Sequence, residues 1–191
     1  MGIAERKGRE RAEREQRIVA AARAIAEREG WDAVTIRRLA EEIEYSQPVL
    51  YSHFENRTAI VAAVAVEGFQ DIATMLRAAA GASTGQTQAV EAVAMAYLDF
   101  ALGHPALYEA MFVLPTDLRF AEADTREELR AGFDALSAVV APFRAEVEVV
   151  TEAFWAALHG LAELERSGRI RPGARGERVA LVVRAIVAVG A

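Results

Sequence analysis

Residues 35–57 read Thr-Ile-Arg-Arg-Leu-Ala-Glu-Glu-Ile-Glu-Tyr-Ser-Gln-Pro-Val-Leu-Tyr-Ser-His-Phe-Glu-Asn-Arg, and this stretch decides the fold. Thr35 opens a short helix as an N-cap, with Arg38 three positions on in place of the glutamate of a capping box. Ile36, Leu39, Ala40 and Ile43 follow at i, i+3, i+4 and i+7, which is one apolar helix face. Ser46 reads as a second N-cap, and Pro48 falls in a first turn, where its missing N–H is harmless. That places a short helix at about 47–53. Asn56 then caps a longer helix over about 57–79, apolar along Val61, Val64, Ile72 and Met75 and again along Val66, Phe69 and Leu76.

Upstream, Ile18, Ala22 and Ile25 mark a helix over about 10–29, stopped by Gly30. Residues 1–14 alternate charges and read as a flexible charged arm or a frayed helix start. Three short helices, the second and third joined by a tight turn, form the pattern of a helix-turn-helix, whose third helix enters the major groove. Ser46, Gln47, Pro48 and Val49 occupy the end of that helix nearest base edges. Gln47 can pair bidentately with adenine, and Val49 can touch a thymine methyl. Leu50 and Phe54 point inward, and Tyr45 reads as core. Tyr51 and His53 flank the buried stripe and can donate to phosphates, to which Arg57 adds a charge.

Thr35-Ile-Arg-Arg-Leu-Ala-Glu-Glu-Ile together with Ser46-Gln-Pro-Val-Leu-Tyr-Ser-His-Phe-Glu-Asn-Arg57 resembles the DNA-binding domain of the TetR family of bacterial transcriptional regulators, over about residues 15–65. The resemblance implies that Thr35, Tyr51, His53 and Arg57 contact phosphates and that Arg37, Gln47, Pro48 and Val49 face bases. The family commonly has glycine in the turn, where this chain has Glu44. A left-handed backbone there costs a non-glycine residue about 1–2 kcal/mol. The resemblance further implies a C-terminal ligand-binding and dimerisation domain over 61–191, after a DNA-binding domain over 15–60. Within it, Gly103-His-Pro-Ala-Leu-Tyr-Glu-Ala-Met-Phe112 and Trp155-Ala-Ala-Leu-His159-Gly160 resemble a C-terminal subgroup with a Trp-x-x-x-His-Gly signature.

After the loop 81–85, helices are expected over about 87–103, 105–113, 121–140, 145–166 and 175–189, with breaks at Pro115, Pro142 and Ser167-Gly168. The expected architecture is all-α with about nine helices. On the helix at 145–166, Val147, Val150, Phe154, Leu158, Leu161 and Leu164 make the expected core stripe. Trp155 and His159, one turn apart on an adjacent stripe, are expected to join the helix at 121–140 in a two-fold dimer interface, with packing inside one subunit as the competing reading. Phe69, Ile72, Met75, Tyr97, Phe100, Tyr108, Met111, Phe112 and Phe133 are the expected lining of a pocket. So few charged groups imply an apolar or weakly polar effector.

Composition narrows the remaining classes. The 191 residues contain no cysteine, which excludes disulfides and thiolate chemistry. His53, His104 and His159 are too far apart in sequence for a local metal motif, so neither metal nor cofactor is expected. No apolar run of membrane-spanning length stands out, and a cytoplasmic protein is expected. The net charge is −6, but residues 1–60 hold 11 basic and 11 acidic residues, so the surplus lies in the remainder. The N-terminal third is thus the end least repelled by a polyanion. No nucleophile–base pair, phosphate loop or pair of facing carboxylates points to an enzyme. The expected function is a ligand-responsive repressor that binds a palindromic operator as a homodimer and is released by a small apolar ligand. The coupling in such systems is typically about 1–3 kcal/mol. The alternative is a helical small-molecule-binding protein without sequence-specific DNA binding.

Overall fold

The computed structural model describes residues 2–120 and 125–188, without the side chain of Ile3. Among the described residues there are nine α-helices and no strand: α1 (Ile3–Glu29), α2 (Ile36–Glu42), α3 (Gln47–Tyr51), α4 (Arg57–Gly81), α5 (Gln86–Gly103), α6 (Pro105–Phe112), α7 (Glu127–Val140), α8 (Val147–Arg166) and α9 (Arg175–Val187). Two single 3₁₀ turns, Trp31–Ala33 and Pro172–Ala174, complete the set. The expected helix starting near 121 begins on residues outside those described, as does the expected end of the last helix at 189.

Two compact units emerge. The first comprises residues 1–68 and 106–119, and the second comprises 69–105 and 120–191. This division differs from a boundary near 60, because α4 continues through Gly68 and most of α6 belongs with the N-terminal helices.

In the first unit Ile18, Ala22 and Ile25 are wholly buried, as their spacing requires, together with Leu39, Leu50, Ile60 and Val64. Residues 3–14, expected as an arm, are instead helical and continuous with α1. Arg6–Glu10 and Arg11–Glu15 pairs one turn apart support the helix along that exposed segment. Gly30 ends α1 at φ +82°, ψ 165°, a conformation essentially restricted to glycine. Thr35 caps α2 by accepting from the Arg38 N–H at 3.1 Å, and Asn56 caps α4 by accepting from Ala59 at 2.9 Å. Gly68 permits a close approach of α4 and α6: a Cβ there would sit 2.6 Å from Met111 Sδ and 2.9 Å from Leu107 Cδ1.

In the second unit α5 is buried along Val90, Val93, Ala94, Tyr97 and Ala101, with α7, α8 and α9 packed on it. The buried stripe of α8 is Thr151, Phe154, Leu158 and Ala162. It differs from the expected stripe because the face turns about Phe154 and Leu158; Val147, Val150 and Leu161 are half-buried and Leu164 is exposed. Thr151 is accommodated there by donating to the Val147 carbonyl at 2.6 Å. Among the described residues α4 alone is long and apolar enough to cross a membrane, yet half of its most apolar window is buried in the protein. The same composition suits a core helix, which is how Ile60, Val64, Ile72 and Leu76 are used.

Candidate nucleic-acid interface

The turn between α2 and α3 is closed by a left-handed residue. Glu44 has φ +57°, and the Tyr45 N–H reaches back to the Ala40 carbonyl at 2.9 Å, the six-to-one bond of a Schellman motif. This confirms the strained position at which glycine was absent. Tyr45 is half-buried rather than core: its ring lies under Arg17, whose Nη1 donates to the phenolic oxygen at 2.7 Å.

The helix that follows is anchored on one side and open on the other. Leu50 is wholly buried, whereas Tyr51, the next residue, is 54% exposed. Ser46, Gln47 and Pro48 are exposed and Val49 is half-buried. Ser46 adopts N-cap backbone geometry without a capping hydrogen bond from its side chain, so its hydroxyl remains available. On α2, Thr35 and Arg37 are exposed. Thr35 spends a lone pair on its cap and keeps its O–H to donate. Arg37 rests against Glu41 at 2.9 Å, an exposed pair that exchanges readily for another anion.

Two residues expected on phosphates are engaged elsewhere. The His53 side chain is only 5% exposed, and its Nδ1 lies 3.2 Å from Glu15 Oε1. Arg11 joins the same cluster, donating to Glu15 at 2.9 Å and to the Ser52 carbonyl at 3.3 Å. The His53 hydrogen bond, followed by Arg11, holds the Glu15 carboxyl below its ordinary value, against the upward pull of burial. Arg57 donates to the Val34 carbonyl at 2.8 Å and the Trp31 carbonyl at 2.6 Å. It satisfies carbonyls at the end of the 3₁₀ turn, so its charge is directed into the fold.

Sequence reasoning missed a second fastening in this unit. The Glu27 carboxylate accepts from the Ala106 and Leu107 N–H groups at 3.2 and 3.0 Å, and Trp31 Nε1 donates to the Ala106 carbonyl at 2.7 Å. Glutamate reading as an exposed member of a charged helix carried no signal of this role.

Comparison with known proteins places the geometry in a family. Residues 18–64 match the model for bacterial regulatory proteins of the tetR family, and residues 90–189, just over half of the chain, match the tetracyclin repressor-like C-terminal domain. An uncharacterised HTH-type transcriptional regulator of Mycobacterium tuberculosis, Rv0681, is 33% identical over 154 residues, covering 79% of this chain and 69% of that one. The chain belongs to the TetR family. A second relative, the HTH-type regulator YobS of Bacillus subtilis, is 33% identical over 102 residues, 53% of each chain. In fold, this TetR-family chain resembles a Rhodococcus sp. RHA1 protein with a TM-score of 0.74 at 24% identity, covering 91% of this chain and 95% of that one. The regulatory protein SCO4313 superposes with a TM-score of 0.72 at 20% identity over 95% and 98% of the two chains.

The TetR C-terminal domain holds the remaining candidates. Of the nine expected pocket residues, Phe69, Ile72, Tyr97 and Phe100 are buried in the second unit and Met75 and Phe133 are half-buried there. Tyr108, Met111 and Phe112 belong to the first unit, where the Tyr108 and Phe112 rings pack at 4.7 Å. Trp155, expected at an interface, is half-buried and donates from Nε1 to Tyr97 Oη at 3.0 Å within the unit. His159 is half-buried; burial pushes its imidazole down, and Glu163 partly offsets this. Among the described residues no three metal-ligating side chains lie together.

Proposed function

We propose that this TetR-family regulator is a cytoplasmic homodimer that represses transcription by inserting α3 of each subunit into the major groove of a palindromic operator. The observation that carries the docking is the contrast between Leu50, wholly buried, and Tyr51, 54% exposed, on a helix whose first turn displays Gln47 and Pro48. Gln47, Pro48, Val49 and Ser46 face base edges, Arg37 reaches bases or backbone, and Thr35 and Tyr51 donate to phosphates. His53 and Arg57 act behind them, as positioning residues. The Trp155–Tyr97 pair supports the Trp-x-x-x-His-Gly subgroup and a small apolar effector, because it sets one polar bond among the buried rings of Tyr97 and Phe100. Dimerisation falls to the exposed side of α8, with α7 beside it, where Val149 and Leu164 are exposed apolar residues.

The test is selection of random duplex DNA by the purified protein, followed by sequencing of the bound fraction. Enrichment of an inverted repeat is the expected result. Arg37→Ala and Tyr51→Ala should each weaken binding to it at least tenfold, about 1.4 kcal/mol, with unchanged thermal unfolding. A folded protein that enriches no sequence, or variants that bind as tightly as the parent, overturns the docking. The first of these outcomes favours a small-molecule-binding protein without DNA specificity.

A further inference from the structure

The second unit contains a shallow, solvent-open cleft of about 470 Å³ at the α8–α9 connection. One wall is apolar, formed by Ile170, Ala174 and Leu181, and the rest carries Arg169, Arg171, Arg178 and Glu177. None of these residues belongs to the expected aromatic pocket.

The arginines are incompletely paired. Arg169 and Arg171 are exposed and, among the described residues, their guanidinium groups have no ion-pair or hydrogen-bond partner. Arg178 donates from Nη1 to the Arg171 carbonyl at 2.9 Å, but its Nη2 is buried and makes no hydrogen bond. Glu165 Oε1 lies 3.8 Å from that nitrogen, beyond hydrogen-bonding range. The Glu165 carboxylate is already held by Arg175 Nε, 3.1 Å from each oxygen, and Arg175 Nη1 is held by Asp99 at 2.8 Å. A buried guanidinium nitrogen that makes no hydrogen bond, with only a long ion pair to Glu165, costs free energy that an anion within bonding distance recovers. Counting the cleft and the Arg175 cluster behind it, four arginines face Asp99, Glu165 and Glu177, leaving one surplus positive charge.

We propose that this cleft binds a small organic carboxylate with a short apolar tail. The carboxylate engages Arg169 and Arg171 at the mouth and draws the Arg178 guanidinium round to present Nη2, since forked donors match a carboxylate's two oxygens. The tail lies on Ile170, Ala174 and Leu181. A monoanion neutralises the single surplus charge, whereas a phosphate dianion exceeds it.

Thermal unfolding of the full chain tests this with sodium hexanoate as the probe, at constant ionic strength, with inorganic phosphate in a parallel arm. Hexanoate should raise Tm progressively, by about 3–6 °C at a tenfold excess over Kd. Arg178→Gln should remove that rise. Because Arg178 also holds the Arg171 carbonyl, Arg169→Glu serves as the second variant; it reverses an exposed charge and should reduce the rise while leaving the ligand-free Tm within about 1 °C. No rise in the parent, an equal rise in both variants, or a larger rise with phosphate than with hexanoate overturns the proposal. So does light scattering in which Arg169→Glu dissociates the dimer without altering the hexanoate effect, because the cleft's partner is then a carboxylate of a second copy. None of these readouts depends on DNA, so operator binding stands or falls separately.

Discussion

Glu44 is the residue at which local strain is visible. At φ +57° its Cβ crowds the backbone, and the cost for a non-glycine residue is about 1–2 kcal/mol. Glu44→Gly removes that strain but enlarges the unfolded ensemble, which returns about 0.4–1 kcal/mol. The net expectation is a stabilisation of about 1 kcal/mol, read as a rise of about 2–4 °C in Tm. A lower Tm would mean that the Glu44 side chain makes a compensating contact. Glu15 gives a pH-dependent counterpart. Its folded pKa lies below the ordinary 4.5, chiefly through the His53 hydrogen bond. A carboxyl depressed in the folded state stabilises above its unfolded pKa, and the contribution disappears as pH falls through the folded value. Glu15→Gln should therefore lower Tm at pH 7, by about 1–4 °C for an ion pair this exposed, and the deficit should shrink as pH falls below the ordinary 4.5. The comparison of parent and variant at pH 7 and about pH 3 checks this; an equal deficit at both would assign the loss to packing.

At the scale of elements, α6 is fastened by its first turn. Free N–H groups at a helix start attract a carboxylate, and Glu27 supplies one from α1, 79 residues away from Ala106. Glu27→Ala should destabilise the protein by about 1–2 kcal/mol, as other lost caps do, measurable by urea unfolding with an unchanged m-value. A change below about 0.3 kcal/mol would show that Trp31 and the Leu107 packing hold α6 without it. Local spacing discloses burial, whereas long-range partners leave no trace in the sequence. Ile18, Ala22 and Ile25, or Leu39 and Leu50, announce their burial through spacing, because helical periodicity is a local property. Caps at Thr35 and Asn56 are local too, as was the conflict at Glu44. Glu27, His53 and Arg57 take their roles from partners 80, 38 and 26 positions away, and nothing in their neighbourhoods encodes those partners. The motif placed His53 and Arg57 correctly beside α3; only packing decides that they face inward. On α8 the periodicity was legible but its phase was not, since Val147, Leu161 and Leu164 compete with Thr151 and Ala162 on paper.

For the whole molecule, the inward turn of His53 and Arg57 alters the electrostatics expected of operator binding. The chain carries a net charge of −6, so long-range attraction to DNA is weak and affinity depends on local contacts. Salt dependence counts the cations that reach phosphates, with log K falling by about 0.9 per contact against log salt on duplex DNA. Thr35 and Tyr51 are neutral donors and displace no counterion. If Arg37 is the one cation each subunit brings to the backbone, a dimer neutralises two phosphates and the slope is about −2. Were His53⁺ and Arg57 to dock as well, six contacts would give about −5. The proposed interface therefore predicts a shallow slope, with most of the operator preference surviving at high salt because Gln47, Pro48 and Val49 read base edges. Titrating the selected operator between about 50 and 300 mM sodium chloride measures it, and Arg57→Gln should leave the slope unaltered even where it lowers stability. A slope steeper than about −4 would mean that further cations, on α1 or at Arg57, leave their intramolecular partners for the phosphates. Exposed Arg6, Lys7, Arg9 and Arg14 on the first turns of α1 would be the groups to substitute next.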